Sequence, residues 1–322
     1  MQEKVKEFLK VNDVKRGWQN LILESKGLTE KLGKIITYDL RLSPYTYKPE
    51  YGRILNAFSH AEPGDIKVVI IGTSPAATRS IANGLAFSSD RNEGEFHKGQ
   101  AIYKVHRALR EAKILAEDGD YYCGHKEWAE KGVLLLNAAL TITEAENESA
   151  EDIRSHYKIW KEFLQQLLLE WLIKTRISDK LFVMRWGYAS SHNMSNYAED
   201  VWNNADGHQD VVKKNIPFRM FPVIHHPTFP SRKFEFVKNN FLIEAPGHFR
   251  EINDKYKEIF SLKPVDGVID ITEGTKKLTL SGGKSQSSKQ LTIIERGSAK
   301  YRDLSPGEQI NYLPKPEADS NN

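Results

Sequence analysis

Four short stretches of this sequence gather residues that could do chemistry. In HHPTFPS (225–231) two adjacent imidazoles, His225 and His226, are followed by two hydroxyls, Thr228 and Ser231. Asn137 closes the apolar run GVLLLN (132–137). GTSPAATRSIANGLAFSSD (72–90) carries Thr73, Ser74, Arg79 and Phe87, and RWGYASSH (185–192) carries Tyr188 and Ser190. An imidazole can donate or accept a proton near neutral pH. A carboxamide offers one acceptor and two donors, enough to read a hydrogen-bonding edge. Hydroxyls and guanidinium groups suit phosphate oxygens. Taken singly, Phe87 reads as a core aromatic and Asn137 as a cap, so the case rests on whether the chain brings them together.

The elements around these stretches require that it does. DIKVVIIG (65–72), GVLLLN (132–137), KLFVMRWG (180–187) and FRMFPVIHHP (218–227) read as buried strands. Helical patterns lie between or beside them: the first 30 residues, Tyr51–His60, 100–116, 150–177 with Trp160, Phe163, Leu164, Leu167, Leu168 and Trp171 as its stripe, and about Phe249 to Phe260. Strands alternating with helices predict an α/β fold, a three-layer α/β/α domain on a central parallel four-stranded sheet. Its ligand site should lie at the carboxyl ends of the strands, where all four stretches fall. The expected organisation is an N-terminal helical extension (1–48), a catalytic domain (49–262), a small β-rich appendage (263–312) and a disordered tail (313–322).

Composition removes several function classes. With 46 basic and 43 acidic residues the net charge is +3, which excludes a polycation but allows a basic groove on a balanced surface. One cysteine, Cys123, excludes an intramolecular disulfide, a four-cysteine zinc site and a cysteine-ligated iron–sulfur cluster. No apolar run is long enough to span a bilayer and the N-terminus lacks a signal-peptide core, so a cytoplasmic protein without membrane contact is expected, needing no metal or other cofactor and working as a monomer.

In order along the chain, NAFSHAEPGDIKVVIIG, GTSPAATRSIANGLAFS, WAEKGVLLLNAALTI, SH…WKEF, FVMRWGYA, HPTFPS and GHFREIN resemble the conserved segments of the uracil-DNA glycosylases, especially their family 1. The resemblance covers roughly residues 50–260 and leaves out the helical start and the tail. It implies a DNA glycosylase acting on double-stranded DNA. Such an enzyme flips the target base out of the stack, because chemistry inside a duplex is out of reach. Phe87 takes the position that stacks on the flipped base, and Asn137 the position that reads its Watson–Crick edge. In one orientation that carboxamide suits uracil; flipped, it suits cytosine. His226 takes the position that donates to the pyrimidine O2 as the glycosidic bond breaks. His225 has no counterpart and, pointing the other way along the strand, reads as structural or phosphate-directed. Thr228 and Ser231 match phosphate-touching hydroxyls, and Phe229 or Pro230 stands where a wedge fills the gap left by the base. Tyr188 and Ser190 lie in a backbone-gripping loop, and Arg79, Arg185, Arg232 and Lys233 could supply charge to phosphates.

The chain departs from the family in its first motif. Ser74 stands in place of the aspartate that positions water and stabilises the sugar cation; the loss should cost about 3 kcal/mol on uracil, unless another acid such as Asp90 serves. Ala76 replaces the tyrosine that packs against pyrimidine C5, and Ala77 replaces a histidine, which leaves room for a C5 substituent. GTSPAA also resembles the first motif of a cluster-bearing branch of the superfamily, which the single cysteine excludes. RKFEFVKNNFLIEAPG, between Ser231 and His248, is longer than the usual connection there. The favoured expectation is a monofunctional glycosylase excising a C5-modified pyrimidine, such as glucosylated hydroxymethylcytosine of phage DNA, in antiphage defence. The alternatives are a uracil-DNA glycosylase of base-excision repair and an inactive DNA-binding protein.

Overall fold

A computed structural model describes residues 1–40, 47–76, 82–96, 100–117, 119–144, 150–177, 179–188, 197–206, 208–214, 216–227 and 240–264. All belong to the first of two compact units, Met1–Asp266; the second, Gly267–Asn322, lies outside the described residues, as does most of the expected β appendage and all of the tail. In chain order the elements are α1 (Gln2–Val11), α2 (Arg16–Glu24), α3 (Lys26–Lys34), β1 (Tyr47–Lys48), β2 (Val68–Gly72), α4 (Ala101–Glu111), α5 (Lys126–Glu130), β3 (Val133–Asn137), β4 (Ile142–Thr143), α6 (Ala150–Lys174), β5 (Leu181–Tyr188), α7 (Tyr197–Asp206), α8 (Gln209–Lys213), β6 (Phe218–Met220), β7 (Ile224–His225) and α9 (Phe241–Lys255).

The main sheet runs in the order β3-β2-β5-β6, every pairing parallel, and β7 pairs with β5 beyond β6. Helices flank it in the α/β/α arrangement expected. Four strand positions are filled by five strands, because the predicted fourth strand is broken at Pro222, which has no N–H to give to the ladder. β2 and β3 are buried along their whole length, which is why they read as unbroken aliphatic runs. Their register sets Gly72 beside Asn137, and the β5–β7 register sets Tyr188 beside His225. The carboxyl ends carrying the candidate chemistry therefore share one edge of the sheet. A small antiparallel pair, β1 with β4, was not legible in the sequence.

The first 30 residues, expected to be helical, fall into three helices, and two other helical expectations are corrected. Asp13 turns at φ 49°, while the Asn12 amide donates to the carbonyls of Phe8 and Tyr51 and its oxygen accepts from the Leu55 N–H. That side chain also holds Tyr51–His60 in two short 3₁₀ turns, Tyr51–Arg53 and Asn56–Phe58, where an α-helix was expected. α9 begins at the Asn240 cap, whose side chain accepts from the Leu242 N–H, well before the expected Phe249. Pro246 and Gly247 lie inside it and disguise its first two turns.

All six tryptophans, Trp18, Trp128, Trp160, Trp171, Trp186 and Trp202, are buried. Trp18 of α2 packs 5.4 Å from Trp171 of α6 and 5.0 Å from Phe58. Its indole donates to the Ala61 carbonyl at 3.0 Å, as Trp171 does to the Pro63 carbonyl at 2.9 Å. The N-terminal helices thus complete the core that carries the sheet. Trp18→Phe keeps most of the ring but withdraws the donor from Ala61. It should lower unfolding stability by about 2 kcal/mol, measurable in urea as a shifted midpoint with an unchanged slope.

Candidate active site

Gly72, at the end of β2, organises the site. A Cβ placed there would lie 2.8 Å and 2.9 Å from the Phe87 ring and 2.9 Å from Asn137 Oδ1. Only a residue without a side chain lets an aromatic face and a carboxamide approach the same backbone point. The chain beyond Gly72 is stitched to the segment beyond Asn137: the Ala138 N–H donates to the Gly72 carbonyl at 3.0 Å and the Ala139 N–H to the Thr73 carbonyl at 2.9 Å. Thr73 and Asn137 are buried; Ser74 and Ala76 are half-buried at the start of the loop.

Phe87 comes from the loop after β2 with φ 56°, a left-handed backbone that a non-glycine residue adopts only when its surroundings hold it there. Its ring lies 4.9 Å from Trp186 at the end of β5 and 5.5 Å from the His226 imidazole just past β7. Phe87, Asn137 and His226, from three separate stretches of sequence, therefore meet around Gly72. His226 is half-buried, and burial, followed by the cation of Lys104, holds its pKa down at about 4. It is a neutral imidazole at physiological pH and donates one N–H. His225 is buried within β7.

Sequence reading missed Lys104. It was absorbed into a basic amphipathic helix, yet it is buried on α4, and burial, then Arg107, lowers its own pKa. The available signal was its position, four residues before the buried Ala108, on the same helix face. Two other expectations are revised. Arg185 is buried, donates to the Phe221 carbonyl at 3.2 Å and pairs with Glu199 at 3.5 Å, so it braces the fold instead of facing phosphates. Asp90 is ion-paired with Arg53 and hydrogen-bonded by Asn83 and Tyr122. Burial raises its pKa, but the Arg53 and Asn83 hydrogen bonds outweigh that and keep it ionised, so it is no free acid. Ala77, Arg79, Ser190, Thr228, Phe229, Pro230, Ser231 and Arg232, and the side chain of Tyr188, lie outside the described residues.

Residues 58–225 match the family described as the Uracil DNA glycosylase superfamily. The chain belongs to that superfamily. It is 30% identical over 177 residues to a protein named uracil-DNA glycosylase from Borreliella burgdorferi (strain ZS7), covering 54% of this chain and 73% of that one. A second so named, from Lactococcus lactis subsp. cremoris (strain MG1363), is 34% identical over 147 residues, covering 44% of this chain and 59% of the other. The fold is similar to the crystal structure of mimivirus uracil-DNA glycosylase, with a TM-score of 0.55 at 19% identity over 81% of this chain and 91% of that one. Among the described residues of this superfamily member, no helix is long and apolar enough to cross a membrane.

Proposed function

We propose that this superfamily member is a monofunctional DNA glycosylase that flips a C5-modified pyrimidine out of double-stranded DNA and hydrolyses its N-glycosidic bond. The observation that carries the reading is the meeting of Phe87, Asn137 and His226 around Gly72. A flat face, a carboxamide edge and a half-buried imidazole are what an extruded base requires. As the bond between base and C1′ breaks, its electron pair leaves with the base. The His226 N–H stabilises the charge gathering on O2, and a water molecule completes the sugar at C1′, giving the free base and an abasic site. Ser74 can orient that water but carries no charge to stabilise the sugar cation.

The choice of base follows from the small side chains of the loop. Alanines at 76 and 77 carry too little side chain to exclude a substituent at C5, which fits a modified cytosine such as the glucosylated hydroxymethylcytosine of phage DNA and a role in antiphage defence. We propose that the protein acts as a cytoplasmic monomer, with Arg79, Tyr188, Ser190, Thr228, Ser231 and Arg232 gripping the backbone and Phe229 or Pro230 as the wedge. The competing reading, a uracil-repair enzyme, is favoured by the names of the relatives.

Abasic sites, measured by alkaline cleavage, separate the readings on three DNAs: one containing uracil, one unmodified, one bearing glucosylated hydroxymethylcytosine. Cleavage confined to the third supports the proposal; cleavage confined to uracil DNA favours repair; none on any leaves a DNA-binding protein. On whichever substrate reacts, Asn137→Ala should slow release by about 10- to 100-fold, the value of a paired set of base-edge hydrogen bonds, with DNA affinity kept.

A further inference from the structure

Behind Phe87 lies a buried polar chain that none of the chemistry above uses. Arg110 binds Glu93 through two hydrogen bonds of 2.6 and 2.7 Å. Glu93 Oε2 lies 2.9 Å from His106 Nδ1, and His106 Nε2 lies 2.8 Å from His125 Nε2. Both imidazoles are fully buried and Glu93 nearly so. A carboxylate only accepts, so His106 Nδ1 carries the hydrogen, and exactly one hydrogen can bridge the two Nε2 atoms. Four polar groups linked in series from Arg110 to His125 Nε2 hold one arrangement and penalise others.

The far end of this chain abuts the Phe87 loop. His125 lies flat on Trp128, with centroids 4.0 Å apart and planes 1° apart, and it has a left-handed backbone of its own at φ 43°. The residues just before it receive the loop. The Ser88 hydroxyl donates to the Gly124 carbonyl at 2.6 Å, and the Ser89 N–H to the Cys123 carbonyl at 2.9 Å. The Phe87 main chain lies against the His125 ring and favours its charged form, although burial, then the neighbouring His106, push the pKa of that imidazole down and keep it neutral. Two strained backbones, at Phe87 and His125, are thus set back to back, and strain of this kind persists only where the surroundings over-determine it.

We propose that His106 and His125, anchored on Glu93 and Arg110, are positioning residues that hold Phe87 at the angle needed to stack on the flipped base. The inference rests on the glycosylase reading for its catalytic consequence, but not for its structural one. A pair serving only as core filling would be replaceable by apolar groups of similar shape. A positioning pair would not, because a misplacement of about 1 Å at a reacting centre costs on the order of 100-fold in rate.

The test is a double-mutant cycle on the full chain, with His125→Phe placed in the native and in the Phe87→Ala background. His125→Phe keeps the stack on Trp128 and removes both ring nitrogens, including the Nε2 that meets His106. Single-turnover base release should fall at least about 10-fold in the native background, with half-saturating DNA changed less than about 3-fold, and by less than about 2-fold once Phe87 is gone. Equal losses in both backgrounds would overturn the proposal. Hydrogen exchange read by mass spectrometry gives an answer independent of activity. Amides in 82–90 should exchange at least about 10-fold faster in His125→Phe while those of α6 do not change; unaltered exchange in 82–90 would also overturn it. If the native protein releases no base from any DNA, the glycosylase reading fails and exchange alone decides the positioning role. Should the single variant not fold, His106→Leu with His125→Phe leaves no imidazole unpaired and carries the same readouts.

Discussion

Replacing His226 with alanine should slow base release by about 100- to 1,000-fold, the usual consequence of removing one preorganised donor from a developing anion. DNA affinity should change little, because the imidazole meets charge that exists only as the bond breaks. The variant separates two ways in which histidine could act. With a pKa of about 4, set by burial and then by Lys104, His226 enters the reaction neutral and works as a hydrogen-bond donor. The rate should therefore show no inflection near the ordinary histidine value of about 6.5. A steep acid-side rise in rate through that value would mean that imidazolium is the active form.

The same shift has a consequence for stability, and its sign is fixed. A histidine whose folded pKa lies below its unfolded value binds protons more readily when unfolded. The stability it supports is complete above about pH 6.5 and is lost as pH falls toward about 4. A displacement of that size corresponds to about 3 kcal/mol when the window has been crossed. His248, stacked 4.2 Å from Phe221 and held near 4 by burial and then Arg219, loses stability in the same window. Urea unfolding at pH 7 and pH 4 should show that His226→Ala removes part of this acid sensitivity and leaves the share owed to His248.

The sequence made the strand order of chemistry legible because β2, β3 and β5 are buried on both faces and write themselves as aliphatic runs ending in polar residues. Gly72, Asn137 and His226 could be placed at one edge from that pattern alone. What stayed hidden was polar and internal. Glu93, Lys104, His106, Arg110 and His125 look like solvent-facing residues because charged side chains usually are, and nothing local announces that two histidines 19 positions apart will share a hydrogen. The φ of Phe87 was equally silent. NGLAF offers a glycine for the left-handed turn at Gly84, which is indeed at φ 87°, and gives no hint that a phenylalanine three residues on adopts the same region. Helix boundaries failed where side chains, not propensity, decided them: Asn12 over 51–58 and Asn240 at the start of α9.

Ser74→Asp should raise the rate on uracil DNA by about 100-fold, the reverse of the roughly 3 kcal/mol that one preorganised charge contributes. A carboxylate acts there only if the backbone holds its position, and it does. Thr73, one residue earlier, is tied through its carbonyl to Ala139, and Ser74 is half-buried beside the Gly72–Asn137 pair. A carboxylate there would face the sugar carbon as it becomes cationic, and would orient the attacking water in addition to what a hydroxyl can do. The effect should depend on the base. On a C5-substituted cytosine, departure of the base is harder than for uracil and the donor at O2 matters more, so the gain from a carboxylate under the sugar should be smaller than on uracil. Rates on the two substrates therefore form a ratio that Ser74→Asp shifts toward uracil. A gain on uracil without any loss in half-saturating DNA would place Ser74 at the reacting carbon. An unchanged rate on every substrate would show that the loop after Gly72 no longer presents this side chain to the sugar, and that hydrolysis here proceeds from Asn137, His226 and stacking alone.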